Sequence, residues 1–405
     1  MDTQLKVATL NCWAIKIPLF GSKDRQKRIK AIGDYLYESD YDIVAFQELW
    51  AESDYNYIAE VVKKIFPFTH YFHNGYTGSG TCVFSRHRII STFKHCYSLN
   101  GFAHHIHRGD WFGGKLIGMA EIQIGSIKVA FYTTHLHAEY DRENDTYLPH
   151  RIIQAYEVGQ FVRYSSRGSD VAIVTGDFNI EPEDLAYKLI TDIADLKDSW
   201  VEKPNYIGDS GMTCDRPDNC YTHRKLLKKN PNGKRLDYIF FKEGVGNITL
   251  LSCENCFDKI PGTSINYSDH LGVTAHFNIK EAVRQIPENN ALTVDYDMMN
   301  EALHILDNGQ RRAMKDRKLF SISSFFLITA LIISLWFDDI FGLRIIMDIL
   351  RFIIAIMFGF FFWHTLVILR IELKGLKESR ATFKELMRKS PESINDNLST
   401  DNSDS

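Results

Sequence analysis

Two stretches near the C-terminal end restrict what this 405-residue chain can fold into more than any other feature. Leu319 to Phe337 (LFSISSFFLITALIISLWF) carries no charge over about 19 residues, roughly the length of helix that crosses the ~30 Å hydrocarbon core of a bilayer. Phe352 to Leu369 (FIIAIMFGFFFWHTLVIL) is interrupted only by His364. Both are apolar on every face, unlike the amphipathic helices of a soluble core, and Trp336 and Trp363 stand near span ends, where aromatic anchors gather. The pair reads as a transmembrane hairpin in which His364 packs on the partner helix. Arg311, Arg312, Lys315, Arg317 and Lys318 precede the first span, and Arg370, Lys374, Lys377 and Arg380 follow the second; the turn sets only Arg344 and Arg351 against Asp338, Asp339 and Asp348. The positive-inside rule therefore places both ends of the hairpin in the cytosol.

The opening residues, MDTQLKVATLNCW, contain no apolar run of signal-peptide length, so the N-terminal domain is expected to stay in the cytosol. The predicted product is a multi-pass membrane protein with both termini cytosolic, the endoplasmic reticulum being favoured over the plasma membrane. Lys and Arg total 47 against 51 Asp and Glu, a net charge of -4, so no global basic field exists to hold a nucleic acid, and none is expected as a partner. The 7 cysteines are odd in number and irregularly spaced, which argues for reduced thiols.

Residues 1 to 280 alternate strand-like runs with helix-spaced segments, the pattern of a mixed α/β domain. Arg25–Glu38 places Ile29, Ile32, Tyr35 and Leu36 on one helical face, and Leu148–Val162 repeats that spacing. Strands are expected at Leu5–Leu10, Ile43–Phe46, Gly118–Ile124, Ile127–Thr133, Val171–Val174, Leu236–Phe241 and Val273–Phe277. Residues 281–318 read as a polar connector with an amphipathic helix around Met298–Leu306, residues 319–369 as the two spans, and 370–405 as a cytosolic tail whose acidic end lacks structure.

Several of these strands end in a polar cluster: Asn11 after VATL, Gln47-Glu48 after IVAF, His135 and His137 after VAFYTT, Asp177 and Asn179 after VAIVTG. One such cluster is an ordinary loop; their recurrence points to a site at one edge of a sheet. Glu48 and Asp177 are hard oxygen donors of the kind Mg²⁺ takes, whereas no Cys/His group has zinc spacing. His270, in Ser268-Asp269-His270, is a candidate general base. Adjacent side chains of an extended segment diverge, so Asp237, in RLDYIF, is the better candidate to orient it. The glycines at 75, 78 and 80 lack a following G-K-[ST] and read as a turn entering a strand.

The ordered set Asn11, Gln47-Glu48, Thr134-His135, Gly176-Asp177-Phe178-Asn179, Leu236-Asp237-Tyr238 and Ser268-Asp269-His270 resembles the endonuclease/exonuclease/phosphatase superfamily. Leu10-Asn11-Cys12-Trp13, Gln47-Glu48-Leu49-Trp50, Gly109 to Lys115 and Thr134 to Tyr140 narrow the resemblance to neutral sphingomyelinases that carry a C-terminal membrane hairpin. It implies a two-sheet α/β sandwich and Mg²⁺-dependent release of phosphocholine and ceramide from sphingomyelin in the membrane. It also implies roles: His270 as base, Asp237 orienting it, Asp177 positioning water, Asn179 and His135 binding phosphate oxygens, and Glu48, Asn11 and Asp269 at the metal. Asp110, Lys115 and Trp13 would meet the substrate, Lys115 at a phosphoryl oxygen and Trp13 as an aromatic wall for choline. A nuclease, an inositol phosphatase or a catalytically inactive binding protein on the same scaffold are the competing readings. Asn247-Ile-Thr249 and Asn266-Tyr-Ser268 match the glycosylation sequon and are expected to remain unmodified in cells, because a cytosolic domain never meets the modifying enzyme. Glycosidase sensitivity at either site would reverse the topology.

Overall fold

The computed structural model describes residues 2–16, 21–204, 210–281, 295–337 and 344–388. Part of the connector, Asp338 and Asp339 of the turn, and the acidic end of the tail lie outside the described residues. The chain divides into two compact units, Met1–Gly101 with His107–Leu292, and Phe102–Ile106 with Thr293–Ser405.

In the first unit, β-branched and aromatic runs pair into two six-stranded sheets. One sheet runs Asn247–Cys256, Gly272–Lys280, Asp2–Asn11, Ile43–Gln47, Cys82–Ser85, Phe68–Tyr71. The other runs Arg88–Cys96, Leu116–Ile124, Ile127–His135, Val171–Asp177, Asp237–Glu243, Lys197–Asp198. Each has a parallel central pair, Asp2–Asn11 with Ile43–Gln47 and Ile127–His135 with Val171–Asp177, flanked by antiparallel strands.

Alternation along the strands builds the layers. Leu5 and Val7 face the other sheet and join Phe131, Ile173, Ile239 and Phe277 in a buried cluster, while Ala8 and Leu10 point the opposite way. There they meet Ile29, Ile32 and Leu36 of helix Arg25–Glu38 and Ile58 and Val62 of helix Glu52–Val62. The second sheet is covered by helices Leu148–Ser165 and Leu185–Ala194, with Phe161 against Tyr132 and Tyr187 against Phe240. Each large side chain buried between layers stabilises the fold by roughly 1.5–3 kcal/mol. This is the expected α/β sandwich. Of the strands that the pattern did not single out, Phe68–Tyr71, Arg88–Cys96, Lys197–Asp198 and Asn247–Cys256 lie at sheet edges, whereas Cys82–Ser85 lies inside its sheet; Arg88–Cys96 is exposed along most of its length and so carries no clean alternation. All seven cysteines are unpaired.

In the second unit the amphipathic segment and the first span form one helix, Tyr296–Ser334. The amphipathic helix expected around Met298–Leu306 is its first part. The continuation through the polar residues between them comes from a partner: Leu369–Arg388 packs on the same helix, with Asp307 2.8 Å from Arg380 and the Tyr296 hydroxyl donating to Met387 O at 2.9 Å. Helix Arg344–Trp363 begins before the expected second span, and His364–Ile368 form a π-turn where it joins Leu369–Arg388. Arg351 belongs to the helix instead of the turn, and donates to Ser334 O at 2.6 Å, where the first helix ends. The His364 ring stacks on Phe320 of the first helix. Two helices are thus long and apolar enough to cross a membrane.

One buried histidine of the first unit sets an acid sensitivity. His137 stacks on Tyr147 at 4.2 Å, its ring Nδ1 faces Ala138 O at 2.9 Å, and burial holds its pKa down to about 4 although Asp110 opposes this. The unfolded chain takes up this proton near pH 6.5 and the folded chain only near pH 4, so stability is complete above about 6.5 and is lost as pH falls. The loss should approach roughly 3 kcal/mol by pH 4. Denaturant melts between pH 7.5 and 4.5 should show this slope, and His137→Gln should flatten it; an unchanged slope would reject the assignment.

Candidate active site

The pairing registers gather the polar residues at one end of the sandwich. Asn11 lies opposite Gln47, while Asp177 lies between His135 and Asp237. Below them the Gln47 side-chain amide donates to Thr9 Oγ1 at 3.0 Å within its own sheet and to Thr133 Oγ1 at 3.1 Å in the other. Where the strands end, the backbone turns left-handed at four non-glycine residues, Trp13 (φ 44°), Glu48 (φ 55°), Asn179 (φ 50°) and Phe257 (φ 53°). Asn tolerates that region; Trp and Glu do not, so strain is concentrated at this edge. Gly80 permits it at Glu48, because a Cβ there would come within 3.0 Å of the Glu48 Cα.

Glu48, His135 and Asp177 bring ligand atoms within 4.8 Å of one another, and Asp177, Asp237 and His270 do the same, so Asp177 belongs to both groups. Asn11 Nδ2 donates to Glu48 Oε1 at 3.1 Å and to Asp177 Oδ2 at 2.8 Å, linking a carboxylate from each sheet. The Asn11 oxygen accepts from Trp13 N at 3.0 Å, so the amide bridges the carboxylates instead of joining them as an oxygen donor. Asp269, expected at the metal, stands outside both groups; its Oδ1 accepts from Ser268 Oγ at 3.2 Å. Asp177 Oδ1 also accepts from Asn179 N at 3.0 Å, and two hard carboxylates this close fit a divalent cation such as Mg²⁺. Burial, then the Asp237 charge, pushes the Asp177 carboxyl up to about 7, and a cation would relieve that cost.

His270 Nδ1 lies 2.8 Å from Asp237 Oδ2 in a buried pair. Burial alone would lower this imidazole, but neighbouring groups hold it well above its usual value. The nearby Cys214 thiol is itself pushed up to about 12 by burial and is protonated at neutral pH, so Asp237 and Asp177 supply that effect. With Nδ1 directed at Asp237, Nε2 is the nitrogen left for a proton transfer. Beside it opens a polar cavity of about 120 Å³ whose lining includes His270, Asn179, Glu139, Glu181, Lys234 and Arg142.

Lys115 is 2% exposed, and its ammonium lies 2.8 Å from Asp110, 2.7 Å from Leu136 O and 3.1 Å from His135 Nε2. Its donors are therefore committed to protein acceptors, which fix the His135 ring instead of reaching a phosphoryl oxygen. Asp110, held far below the usual carboxylate range by Lys115 and His137 despite its burial, also accepts from the Tyr140 hydroxyl. Asn179 donates to Leu136 O at 3.0 Å and retains a second amide hydrogen. Trp13 offers at most one face to a ligand, since the other meets Arg28 at 4.9 Å. Asn266 of the second sequon is buried, donating to Asp258 Oδ1 at 2.9 Å, so a glycan there is incompatible with the fold. Sequence reasoning missed Arg28 and Thr213, whose hydroxyl accepts from Asp237 N at 3.3 Å; neither is set apart in sequence from an ordinary helix or loop residue. Trp50, quoted in the Gln47–Trp50 motif without a role, has its ring 6.2 Å from that of His135.

The family described as "Endonuclease/Exonuclease/phosphatase family" matches residues 8–270. A Caenorhabditis elegans protein provisionally named a neutral sphingomyelinase is 47% identical over 399 residues, 95% of this chain and 91% of that protein. Sphingomyelin phosphodiesterase 2 of Homo sapiens is 36% identical over 287 residues, 70% of this chain and 66% of that protein. Among solved structures, a beta toxin variant from Staphylococcus aureus with bound magnesium ions superposes with a TM-score of 0.51 at 20% identity, covering 67% of this chain and 99% of that one, which is a likeness of fold. With the family match running from Ala8 in strand Asp2–Asn11 to His270, and 47% identity to the worm protein over nearly the full length of both chains, the chain belongs to the Endonuclease/Exonuclease/phosphatase family, on its neutral sphingomyelinase branch.

Proposed function

We propose that this chain is a Mg²⁺-dependent, phospholipase C-type hydrolase of sphingomyelin, tethered by two membrane spans with its catalytic unit on the cytosolic side. The observation that carries the chemistry is the sharing of Asp177 between the Glu48 group and the His270–Asp237 pair, which supports reading a cation site beside a base. Identity to the neutral sphingomyelinases along most of the chain supports the substrate, and the apolar helices with their basic flanks support the topology.

Bound by Glu48 with Asp177 alongside, Mg²⁺ would polarise a non-bridging phosphate oxygen, offset charge on the leaving alkoxide and lower the carboxylate field that keeps His270 protonated. His270 Nε2, its ring held by Asp237, takes a proton from the attacking water. Asp177 orients that water, and the free amide hydrogen of Asn179 donates to a phosphate oxygen. His135, held neutral by burial and by the Lys115 ammonium, shapes the phosphate pocket without adding charge. Asn11 keeps Glu48 and Asp177 at one spacing throughout.

Purified protein in detergent should release phosphocholine from labelled sphingomyelin only when Mg²⁺ is present, with little nicking of abasic DNA under the same conditions. His270→Ala should lower kcat by more than about 10²-fold while Mg²⁺ still binds. Ready cleavage of DNA with sphingomyelin untouched would replace this reading with a nuclease. Glu48→Gln keeps the shape of the ligand and removes its charge, so the Mg²⁺ concentration for half-maximal rate should rise, with partial recovery at high Mg²⁺. A wild-type Mg²⁺ dependence in this variant would remove Glu48 from the metal site.

A further inference from the structure

Arg28 lies in helix Arg25–Glu38, outside every motif of the site, and it is the largest wholly buried side chain described, at 0% exposure. Burying a guanidinium is costly unless its hydrogens are satisfied and its charge is used. Four of its donated bonds reach backbone carbonyls of three separate segments. Nε donates to Lys23 O at 3.0 Å, Nη2 to Trp13 O at 2.7 Å, and Nη1 both to Cys12 O at 2.7 Å and to Tyr267 O at 3.2 Å. The Trp13 ring, at 4.9 Å, and the Tyr221 ring, at 5.4 Å, lie against the same guanidinium. Arg28 forms no ion pair among the described residues; the charge that most favours its protonated form is that of Asp269.

The segments it joins matter. Cys12 and Trp13 directly follow Asn11, the amide that spaces Glu48 and Asp177, and Trp13 adopts a left-handed backbone that nothing intrinsic to tryptophan favours. Tyr267 opens the loop that ends in His270. We propose that Arg28 is a positioning residue that fastens the turn after Asn11 to the Tyr267–His270 loop, fixing the distance between the cation-binding edge and the base. A planar fork of five donors can serve four carbonyl groups in three segments; an ammonium on a flexible stem cannot hold the same geometry.

This inference deepens the proposed function and rests on it for the catalytic readout, so the test carries a second readout that does not. Full-length wild type, Arg28→Lys and Arg28→Met are purified in detergent, and their melting, their binding of Mg²⁺ alone by calorimetry, and kcat and KM on sphingomyelin are compared. Loss of a residue that orients metal ligands typically weakens the metal by about 10- to 100-fold, and Arg28→Met should fall in that range. Its kcat should drop at saturating Mg²⁺ while KM stays within about twofold, because Arg28 does not touch the lipid. Arg28→Lys, which keeps the charge, should recover part of both losses. A folded Arg28→Lys or Arg28→Met with wild-type Mg²⁺ affinity and kcat overturns the proposal. If Arg28→Met does not fold, Arg28→Lys decides: a lowered melting temperature with unchanged Mg²⁺ affinity and kcat marks a purely structural role and also overturns it. If the wild type binds Mg²⁺ but leaves sphingomyelin intact, the functional reading fails and the Mg²⁺ comparison still judges Arg28.

Discussion

One side-chain amide determines whether this site exists. Asn11 reaches from the end of a first-sheet strand to Glu48 in its own sheet and Asp177 in the other, at 3.1 and 2.8 Å. Two carboxylates that close repel one another, and an amide offering two hydrogens holds them without neutralising them. That spacing requires the two sheets to keep their mutual position. The interdigitated layer of Val7, Phe131, Ile173 and Phe277 supplies the bulk of that constraint, and the Gln47–Thr133 bond supplies a directional one just beneath the site. The burial that stabilises the sandwich is thus the same burial that raises Asp177 and makes a cation welcome.

The sandwich also explains how distant pieces of chain meet. A parallel pair in the centre of each sheet sends Asn11, Glu48, His135 and Asp177 to the same end, because parallel strands finish on the same side. The antiparallel strand Asp237–Glu243 then begins beside the end of Val171–Asp177, so Asp237 faces Asp177 directly across the ladder. The Asp237–His270 pair is the only part of the constellation assembled from residues near the end of the first unit. Its contact at 2.8 Å closes the set.

Much of this was legible in the sequence, for stated physical reasons. Helix Arg25–Glu38 was readable from Ile29, Ile32 and Leu36, and the core strands from their apolar runs. Separating Asp237 from Asp269 as the partner of His270 needed only the divergence of adjacent side chains, and the 2.8 Å contact is with Asp237. What stayed hidden depends on neighbours distant in sequence. Arg28 sits four residues before Ile32 and seven before Tyr35, on the buried face, yet among Arg25, Lys27 and Lys30 nothing marks it as different until the carbonyls of Cys12 and Tyr267 are placed around it. Lys115 looked free to meet a phosphate because its acceptors, Leu136 O and His135, belong to another strand's end. The long helix Tyr296–Ser334 is held together across its polar middle by Leu369–Arg388, which no periodicity in the first segment announces.

The left-handed backbone at Glu48 sets fold and function against each other. At φ 55° a glutamate is held where asparagine or glycine would sit with less strain, a difference on the order of 1 kcal/mol. The residue that best suits the chain at this position is one that cannot hold a cation as well. Selection for stability alone would therefore drift toward a sturdier, inactive protein, and variants chosen for heat resistance at this position would be expected to trade away turnover. A glutamate at this position thus suits the proposed metal role better than it suits the backbone.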